Sequence, residues 1–257
     1  MLGETPWIKF TETYARDNIM TARVGLIIPS SNRMVEDEMN HAFPPDVRAH
    51  VTRLRMTGDS KGPLDRLMPK VEEAARALVD ARCEVVAFHC TANSMQEGRD
   101  GEERILSGLV RAGAPHATTT ATAVRRALDA LGARRIVLIT PYTQEATDHE
   151  AEFLHEAGYE TLYAKGFALA GSDAYCATPS AFWRDRLIEA KRANADVYFL
   201  SCAAISQLGI IEEVEVQLDR PVITSNQVVI WDALCALGGE RSGPGRLFAT
   251  SPALAHA

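Results

Sequence analysis

The amino-acid sequence predicts an α/β fold built from two similar halves, each with about four parallel strands. Short, continuous apolar runs alternate with longer helical patterns along nearly the whole chain, which is typical of βαβ units around a parallel sheet. The two halves also repeat each other at a nearly constant spacing. Composition agrees with this class, because 46% hydrophobic and 24% charged residues in a chain of 257 are close to the globular average.

Four apolar runs have the continuous character of strands that are buried on both faces. Each run stops at a stretch of small, polar or proline residues. The predicted strands are Val24–Ile28, Glu84–Phe88, Ile136–Ile139 and Val197–Leu200. Between them, apolar residues recur every three or four positions, which predicts helices. The predicted helices are Leu64–Ala81, Thr122–Leu131, Gln144–Ala157 and Ser180–Ala193.

An internal repeat divides the chain into two similar halves. Pro29 and Pro141 each follow an apolar run and are 112 residues apart, and the same separation relates Cys90 to Cys202. A third pair of matching segments, at 127–132 and 233–238, is 106 residues apart. We therefore expect a duplicated unit, with boundary elements in 23–132 and 219–238. The predicted divisions are an N-terminal extension (1–22), an N-terminal half (23–133), a C-terminal half (134–239) and a tail (240–257).

Charge and cysteine usage narrow the class of protein. The net charge of −7 argues against nucleic acid as a partner, since phosphate binding needs concentrated lysine and arginine. No apolar stretch is long enough to span a membrane, and residues 1–22 lack the features of a signal peptide. The five cysteines form no metal-ligand spacing, so we expect reduced thiols in a cytoplasmic protein. No metal or nucleotide motif is present, and we expect no cofactor.

Two of the cysteines are candidates for chemistry. Ligands of open α/β sheets bind beyond the carboxyl ends of the strands, and Cys90 and Cys202 both follow predicted strands. If the halves pack about a pseudo-two-fold axis, the two thiols face each other across a shared cleft. Helices predicted to begin near Asn93 and Ile205 would direct their positive ends at the cleft, favouring a carboxylate and lowering a thiol pKa. The remaining cysteines have no repeat partner at a strand end, and we interpret them as packing residues: Cys83, Cys176 and Cys235.

The strand ends also carry groups suited to a carboxylate. Side-chain amides, hydroxyls and small residues with accessible backbone N–H groups surround both cysteines. The candidate binding residues are Asn32, Thr91, Ala92, Asn93, Tyr142, Ala203 and Ala204. A helix cap at Asn93 and a half-buried core position for Tyr142 remain alternatives. His89 precedes Cys90, but adjacent strand residues point to opposite faces, so we interpret it as structural.

Several segments together resemble a known family. They are Pro29-Ser-Ser-Asn32, Cys90-Thr-Ala-Asn-Ser94, Thr140-Pro-Tyr142, Ser201-Cys202 with Ile211-Glu-Glu-Val-Glu215, and Trp231-Asp-Ala-Leu234. From about Arg23 to Gly239 the chain is similar to the maleate cis-trans isomerase and arylmalonate decarboxylase branch of the Asp/Glu racemase superfamily. The resemblance implies a cofactor-independent enzyme with two pseudo-symmetric Rossmann-like (flavodoxin-like) halves, each with a four-stranded parallel sheet. It places the active site between the halves, and it implies a homodimer or homotetramer.

The resemblance also implies roles for particular residues. Members that isomerise or racemise keep two cysteines, at positions matching Cys90 and Cys202, whereas the decarboxylase has glycine at the first. Asn32 and Tyr142 match carboxylate-binding residues of the maleate isomerases, and Thr91 matches a hydroxyl donor of the decarboxylase. The chain departs from the isomerases at Ala174, where they carry asparagine.

The functional expectation that follows is an isomerase acting on a small, maleate-like dicarboxylic acid through a covalent cysteine adduct. One alternative is a racemase or decarboxylase that works on a substituted dicarboxylate through an enediolate. A binding protein for small acids without catalysis is the other.

Overall fold

Two four-stranded parallel sheets, one from each half of the chain, form the framework of the protein. The computed structural model describes residues 21–56, 62–239 and 241–251. The predicted N-terminal extension lies outside the described residues apart from Thr21 and Ala22, and the tail is described only over 241–251.

The first half alternates strands and helices from its first residue to its last. Its strands are β1 (Ala22–Pro29), β2 (Val47–Leu54), β3 (Val85–Phe88) and β4 (His116–Thr119). Its helices are α1 (Val35–Ala42), α2 (Leu64–Asp80), α3 (Thr91–Met95), α4 (Gly98–Arg111) and α5 (Thr120–Ala130).

The second half repeats this alternation. Its strands are β5 (Arg135–Thr140), β6 (Glu160–Gly166), β7 (Val197–Leu200) and β8 (Val222–Thr224). Its helices are α6 (Gln144–Glu156), α7 (Gly171–Ala177), α8 (Ser180–Glu189), α9 (Ile211–Leu218) and α10 (Ser225–Leu237). Short 3₁₀ turns lie at Leu208–Ile210 and Arg246–Ala249.

The strand order is the same in both sheets, β2-β1-β3-β4 and β6-β5-β7-β8, and every pair is parallel. The predicted α/β fold with two four-stranded parallel sheets is confirmed. The chain reverses its direction across the sheet between the first and third strands of each half, which is where open α/β sheets bind ligands. In the first half Pro29 is the last residue of β1 and Cys90 follows β3, and in the second half Pro141 follows β5 and Cys202 follows β7.

Helices α5 and α10 explain the third repeated segment of the sequence. Each begins at a threonine N-cap, Thr119 or Thr224, whose side chain accepts a backbone N–H of the first turn. Each is followed by a glycine with a positive φ, Gly132 at 62° and Gly238 at 70°. The two helices pack against each other, and their apolar residues belong to one core that contains strands of both sheets.

A second core fills the space between the first sheet and helices α2 and α4. The side chains of Ile27 and Phe88 lie in this second core, whereas Leu26 and Ala87 lie in the first. Burial on both faces is why the strands are continuously apolar.

The described part of the tail packs against the second half. Leu247 is buried, and the N–H of Arg246 donates to both carboxylate oxygens of Glu215. Gln227 Nε2 donates to the carbonyl oxygen of Pro244 at 2.8 Å. Within the described ranges, none of the helices has the length and apolar character that a membrane crossing would need.

Gly166 permits a close approach between strand β6 and the turn that holds Tyr142. A Cβ atom at position 166 would lie 2.6 Å from the carbonyl oxygen of Tyr142 and 2.8 Å from that of Thr143. Backbone atoms cannot move aside as a flexible side chain can. The turn that positions Tyr142 therefore depends on glycine at the end of β6.

We expect Gly166→Ala to lower the free energy of unfolding by about 1–3 kcal/mol, because the added methyl group overlaps backbone oxygens. Urea unfolding followed by circular dichroism measures the loss. The matched control is Gly209→Ala, where a Cβ meets nothing within 4 Å and where we expect a change below about 0.5 kcal/mol. Equal stability of the two variants would contradict the steric argument.

Candidate active site

A cavity of about 510 Å³ lies where the carboxyl ends of the two sheets meet. The structure brings all of the residues predicted from the sequence to this one cavity. From the first half come Asn32, Cys90, Thr91, Ala92 and Asn93. From the second half come Tyr142, Cys202, Ala203 and Ala204. None of the described residues that line the cavity is a lysine or an arginine, so its polar groups are neutral donors and the two thiols.

Cys90 occupies the N-cap position of helix α3. Its backbone is extended, with φ −149° and ψ 105°, and the helix begins at the next residue, Thr91. The predicted helix start near Asn93 is therefore two positions late. The N–H groups of the first helical turn have no partners within the helix. Cys90 is 7% exposed and lines the cavity.

Cys202 has a different backbone setting. Its φ is +148°, a conformation that side-chain-bearing residues rarely adopt. Three contacts hold it there. Its N–H donates to Ser225 Oγ at 3.0 Å, its carbonyl oxygen accepts Gln207 Nε2, and its sulfur accepts the N–H of Ala204 at 3.3 Å. Strain of this kind persists where surrounding contacts over-determine the backbone.

The predicted helix near Ile205 is wrong. Residues 201–207 form a turn, and the next α-helix begins at Ile211. The N–H groups of Gln207 and Leu208 donate to Glu38 Oε1, at 2.6 and 3.3 Å, so a carboxylate from the other half satisfies them instead of a helical turn. The helix predicted to direct its positive end at Cys202 from Ile205 is therefore absent.

Burial raises the pKa of the Cys202 thiol to about 12. The Tyr142 hydroxyl and the Ala204 N–H, which hydrogen-bond to the sulfur, act in the opposite direction, and Glu150 and Cys90 raise the pKa further. Cys202 is therefore a neutral thiol near pH 7. The expectation that a helix N-terminus lowers the pKa of a thiol is wrong for Cys202.

Tyr142 lines the cavity and is in edge contact with Tyr175, at 5.8 Å between ring centroids. Burial, followed by the neighbouring Cys202 and Glu150, raises the pKa of Tyr142 well above its usual value. The phenol therefore keeps its proton, which it donates to the Cys202 sulfur in the free protein and which an anion in the cavity could accept instead.

The other polar side chains predicted to bind a carboxylate already have protein partners. Asn32 Oδ1 accepts the N–H groups of Met34 and Val35, and Asn32 Nδ2 donates to the carbonyl oxygen of Ala203 at 3.0 Å. Thr91 Oγ1 donates to Ser225 Oγ at 2.8 Å. Asn93 Nδ2 donates to the carbonyl oxygen of Met56 at 3.3 Å. The amide nitrogens of Asn32 and Asn93 each keep a second hydrogen that a ligand could accept. The hydroxyl of Thr91 has a single hydrogen, which Ser225 already accepts.

His89 is structural, as its position in the sequence predicts. It is fully buried, with Nε2 2.9 Å from Asn226 Oδ1 and Nδ1 3.0 Å from Thr120 Oγ1. Burial lowers its pKa to about 4, so the ring is neutral. Because Asn226 Nδ2 donates to Glu38 Oε2 at 2.6 Å, its Oδ1 faces His89 and accepts the Nε2 proton.

Part of the cavity wall was not predicted from the sequence. These residues come from the loop after β1, from α6 and its N-cap, and from α7: Ser31, Thr143, Ala146, Gly171, Ser172 and Tyr175. Ser31 Oγ and Ser172 Oγ are 2.8 Å apart, and Arg33 forms an ion pair with Asp173, so α7 is tied to the first half across the cavity. The contact joins residues 141 positions apart, for which the sequence offers no local signal. The nearest signal is Ala174, two residues after Ser172, at which the chain departs from the maleate isomerases.

The three remaining cysteines do not line the cavity: Cys83, Cys176 and Cys235. Burial raises the pKa of Cys83 to about 11 and also raises that of Cys235.

We expect iodoacetamide to label Cys202 of the free protein more slowly at pH 7 than it labels an unperturbed thiol, because a pKa of about 12 leaves little thiolate. The rate should increase about tenfold per pH unit through pH 9. Mass spectrometry of the Cys202 peptide measures it. Tyr142→Phe should slow the labelling further, since the hydroxyl stabilises the thiolate. A plateau in the rate below pH 9 would show that the thiol is not held in its neutral form.

The fold and the cavity define a duplicated α/β protein with paired thiols between its halves. A family model described as arylmalonate decarboxylase matches residues 24–248, and the chain belongs to this family. The resemblance stated from the sequence is confirmed, and it continues past Gly239 to residue 248.

The similar proteins are enzymes, as predicted. The chain is 29% identical over 233 residues to the arylmalonate decarboxylase of Bordetella bronchiseptica, covering 89% of this chain and 97% of that protein. It is 28% identical over 234 residues to the maleate isomerase of Geobacillus stearothermophilus, covering 84% and 91%. The structure of a cysteine-to-alanine variant of the maleate isomerase Iso from Pseudomonas putida S16 with maleate matches with a TM-score of 0.82 at 26% identity, covering 90% of this chain and 99% of that one.

Proposed function

We propose that this chain is a cofactor-independent isomerase that converts a maleate-like unsaturated dicarboxylate from cis to trans through a covalent adduct on Cys90. The observation that carries the proposal is the meeting of two thiols, from equivalent strand ends, in one cavity of a chain related to maleate isomerases. The bound maleate in the related Iso structure supports a small dicarboxylate as the class of substrate.

Cys90 is the nucleophile in this proposal. It lies at the N-cap of α3, whose first-turn N–H groups have no partners within the helix and favour a thiolate. Cys202 lies in a turn rather than at a helix N-cap and is neutral near pH 7, which suits a proton donor. The two equivalent positions of the repeat thus have different chemical roles.

The reaction begins when the Cys90 thiolate adds to one alkene carbon. A C–S bond forms, and the π electrons move to the neighbouring carbon, which its carboxylate stabilises as an enediolate. The Cys202 thiol delivers its proton to this carbon. Rotation about the resulting single bond, return of the proton to Cys202 and loss of the Cys90 thiolate give the trans alkene. Both sulfur atoms return to their starting states.

Neutral donors would hold the substrate carboxylates. The first-turn N–H groups of Thr91 and Ala92 serve one of them, together with the second amide hydrogen of Asn32. The Tyr142 hydroxyl and the backbone of Ala203 and Ala204 lie at the opposite wall. Such groups stabilise the enediolate more than the ground-state acid, because its charge is concentrated on the carboxylate oxygens.

Decarboxylation or racemisation of a substituted dicarboxylate is the second candidate. The 29% identity to an arylmalonate decarboxylase favours it, as does the neutral Cys202 thiol, which can protonate an enediolate. Solvent-exchange experiments separate the candidates. Deuterium from heavy water enters a saturated α-carbon in decarboxylation and racemisation, and carbon dioxide is released only in decarboxylation.

A homodimer or homotetramer and a cytoplasmic location remain predictions from the sequence. Light scattering coupled to size-exclusion chromatography measures the assembly.

We expect Cys90→Ala to abolish the conversion of maleate to its trans isomer, since no other thiolate is placed to add to the alkene. Cys202→Ser should lower kcat about 10²–10⁴-fold, the range for loss of a general acid. Proton NMR of the reaction mixture follows both isomers directly.

The matched control is Cys235→Ser, which changes a cysteine outside the cavity and should leave the rate within about twofold. Full activity of the Cys90→Ala protein would refute the covalent mechanism. If the unmodified enzyme leaves maleate unchanged but decarboxylates a substituted malonate, the second candidate replaces the first.

A further inference from the structure

A buried carboxyl group lies behind the Cys202 loop and takes no part in the proposed reaction. Glu150, on helix α6, is 2% exposed. Its Oε2 accepts the hydroxyl of Ser201 at 2.7 Å, and Ser201 is the residue immediately before Cys202. Its Oε1 is buried and has no hydrogen-bond partner among the described residues.

No positive charge compensates this carboxyl. Among the residues that the structure describes, no lysine, arginine or histidine forms an ion pair with Glu150. The elements packed against α6 are α3, α4, β5 and β6, and α3 has no titratable side chain. Arg99 of α4 lies beside Glu102 and Glu103, and Arg135 of β5 binds Asp196. The other titratable groups on α4, β6 and α6 itself are Asp100, Arg104, Arg111, Glu160, Tyr163, Lys165, Glu145, Asp148, His149, Glu152, His155 and Glu156.

Glu150 instead acts on the groups of the cavity. Its charge raises the pKa of both Cys202 and Tyr142. Burial in turn raises the pKa of Glu150 to about 7, against which the Ser201 hydroxyl acts. The carboxyl group therefore changes its charge close to neutral pH, far below the range in which Cys202 and Tyr142 ionise.

We propose that Glu150 is a positioning residue that must be protonated for the cavity to accept an anion next to the Cys90 thiolate. The inference rests on the proposed function, in which a dicarboxylate and a thiolate occupy a cavity without a lysine or arginine in its described lining. An ionised Glu150 would add a like charge behind Ser201 and Cys202, in a medium of low dielectric constant. The neutral acid keeps the Ser201 contact, and hence the start of the Cys202 turn, without that repulsion.

The first test compares wild type with Glu150→Gln, which keeps the shape and removes the charge. Cys90 of each protein is alkylated with anionic iodoacetate and with neutral iodoacetamide between pH 6 and 8.5. In wild type we expect the ratio of the iodoacetate rate to the iodoacetamide rate to fall at least about threefold as Glu150 ionises. The ratio should stay nearly constant in Glu150→Gln.

Glu215→Gln is the matched control. Glu215 is also a buried carboxyl whose pKa is raised by burial, but it lies against the 3₁₀ turn of the tail and does not line the cavity. Its substitution should leave the wild-type fall in the ratio intact. This comparison uses no substrate, so it remains decisive even if the proposed isomerase activity fails.

Turnover provides the second test. For wild type, kcat/KM should decrease about tenfold per pH unit above pH 7, and Glu150→Gln should lose this decline. Parallel wild-type and Glu150→Gln profiles in both tests would overturn the proposal. A merely structural role would lower the rates of Glu150→Gln equally at every pH.

The pH dependence of the unfolding free energy tests independently whether Glu150 is protonated in the folded protein. The folded protein holds the Glu150 proton up to about pH 7, whereas an unfolded chain releases it near the usual glutamate value. The unfolding free energy of wild type relative to Glu150→Gln should therefore decrease between those two pH values and level off above them. An unchanged difference across this window would show that Glu150 is ionised throughout, which also overturns the proposal.

Discussion

The side chain of Asn226 joins the two cysteine-bearing segments, and the geometry of the cavity depends on it. It accepts the proton of His89, the neighbour of Cys90, and donates to Glu38, which holds the N–H groups of the turn after Cys202. Every residue of this hydrogen-bond network is buried. Polar groups that lose water must find partners inside the protein, and here each partner comes from the opposite half. The requirement for hydrogen bonds therefore fixes how the halves face each other.

The same network makes two equivalent positions unequal. Cys90 continues directly into a helix, whereas Cys202 is held at a positive φ by a turn that Glu38 and Gln207 maintain. A helix end favours the charged form of a thiol, and a desolvated turn favours the neutral form. Duplication supplied two thiols, and in the reaction that we propose the different local backbone makes Cys90 the nucleophile and Cys202 the acid.

Charge is scarce around the cavity. Its described lining offers hydroxyls, amides and backbone N–H groups, and the ion pair of Arg33 with Asp173 lies outside it on the exposed surface. Fixed dipoles stabilise an enediolate without the reorganisation that mobile side chains require. Any additional buried charge would change the affinity of such a cavity for an anion. Glu150 is a buried carboxyl group whose charge acts on Cys202 and Tyr142.

The sequence by itself determined the α/β class, the duplication and the strand ends at which Cys90 and Cys202 lie. Those features follow from apolar periodicity and from a repeat, both of which are visible in the order of the residues without knowledge of which segments touch. It did not reveal the turn after Cys202, where we expected a helix to begin near Ile205. Tertiary structure decided that turn, because Glu38, 169 residues away in the chain from Gln207, provides the hydrogen bond that a helix would otherwise supply. It also decided the ionisation of Cys202 and the contribution of Tyr175 and Ser172 to the cavity, since burial and contacts between distant segments exist only once the two halves have packed together.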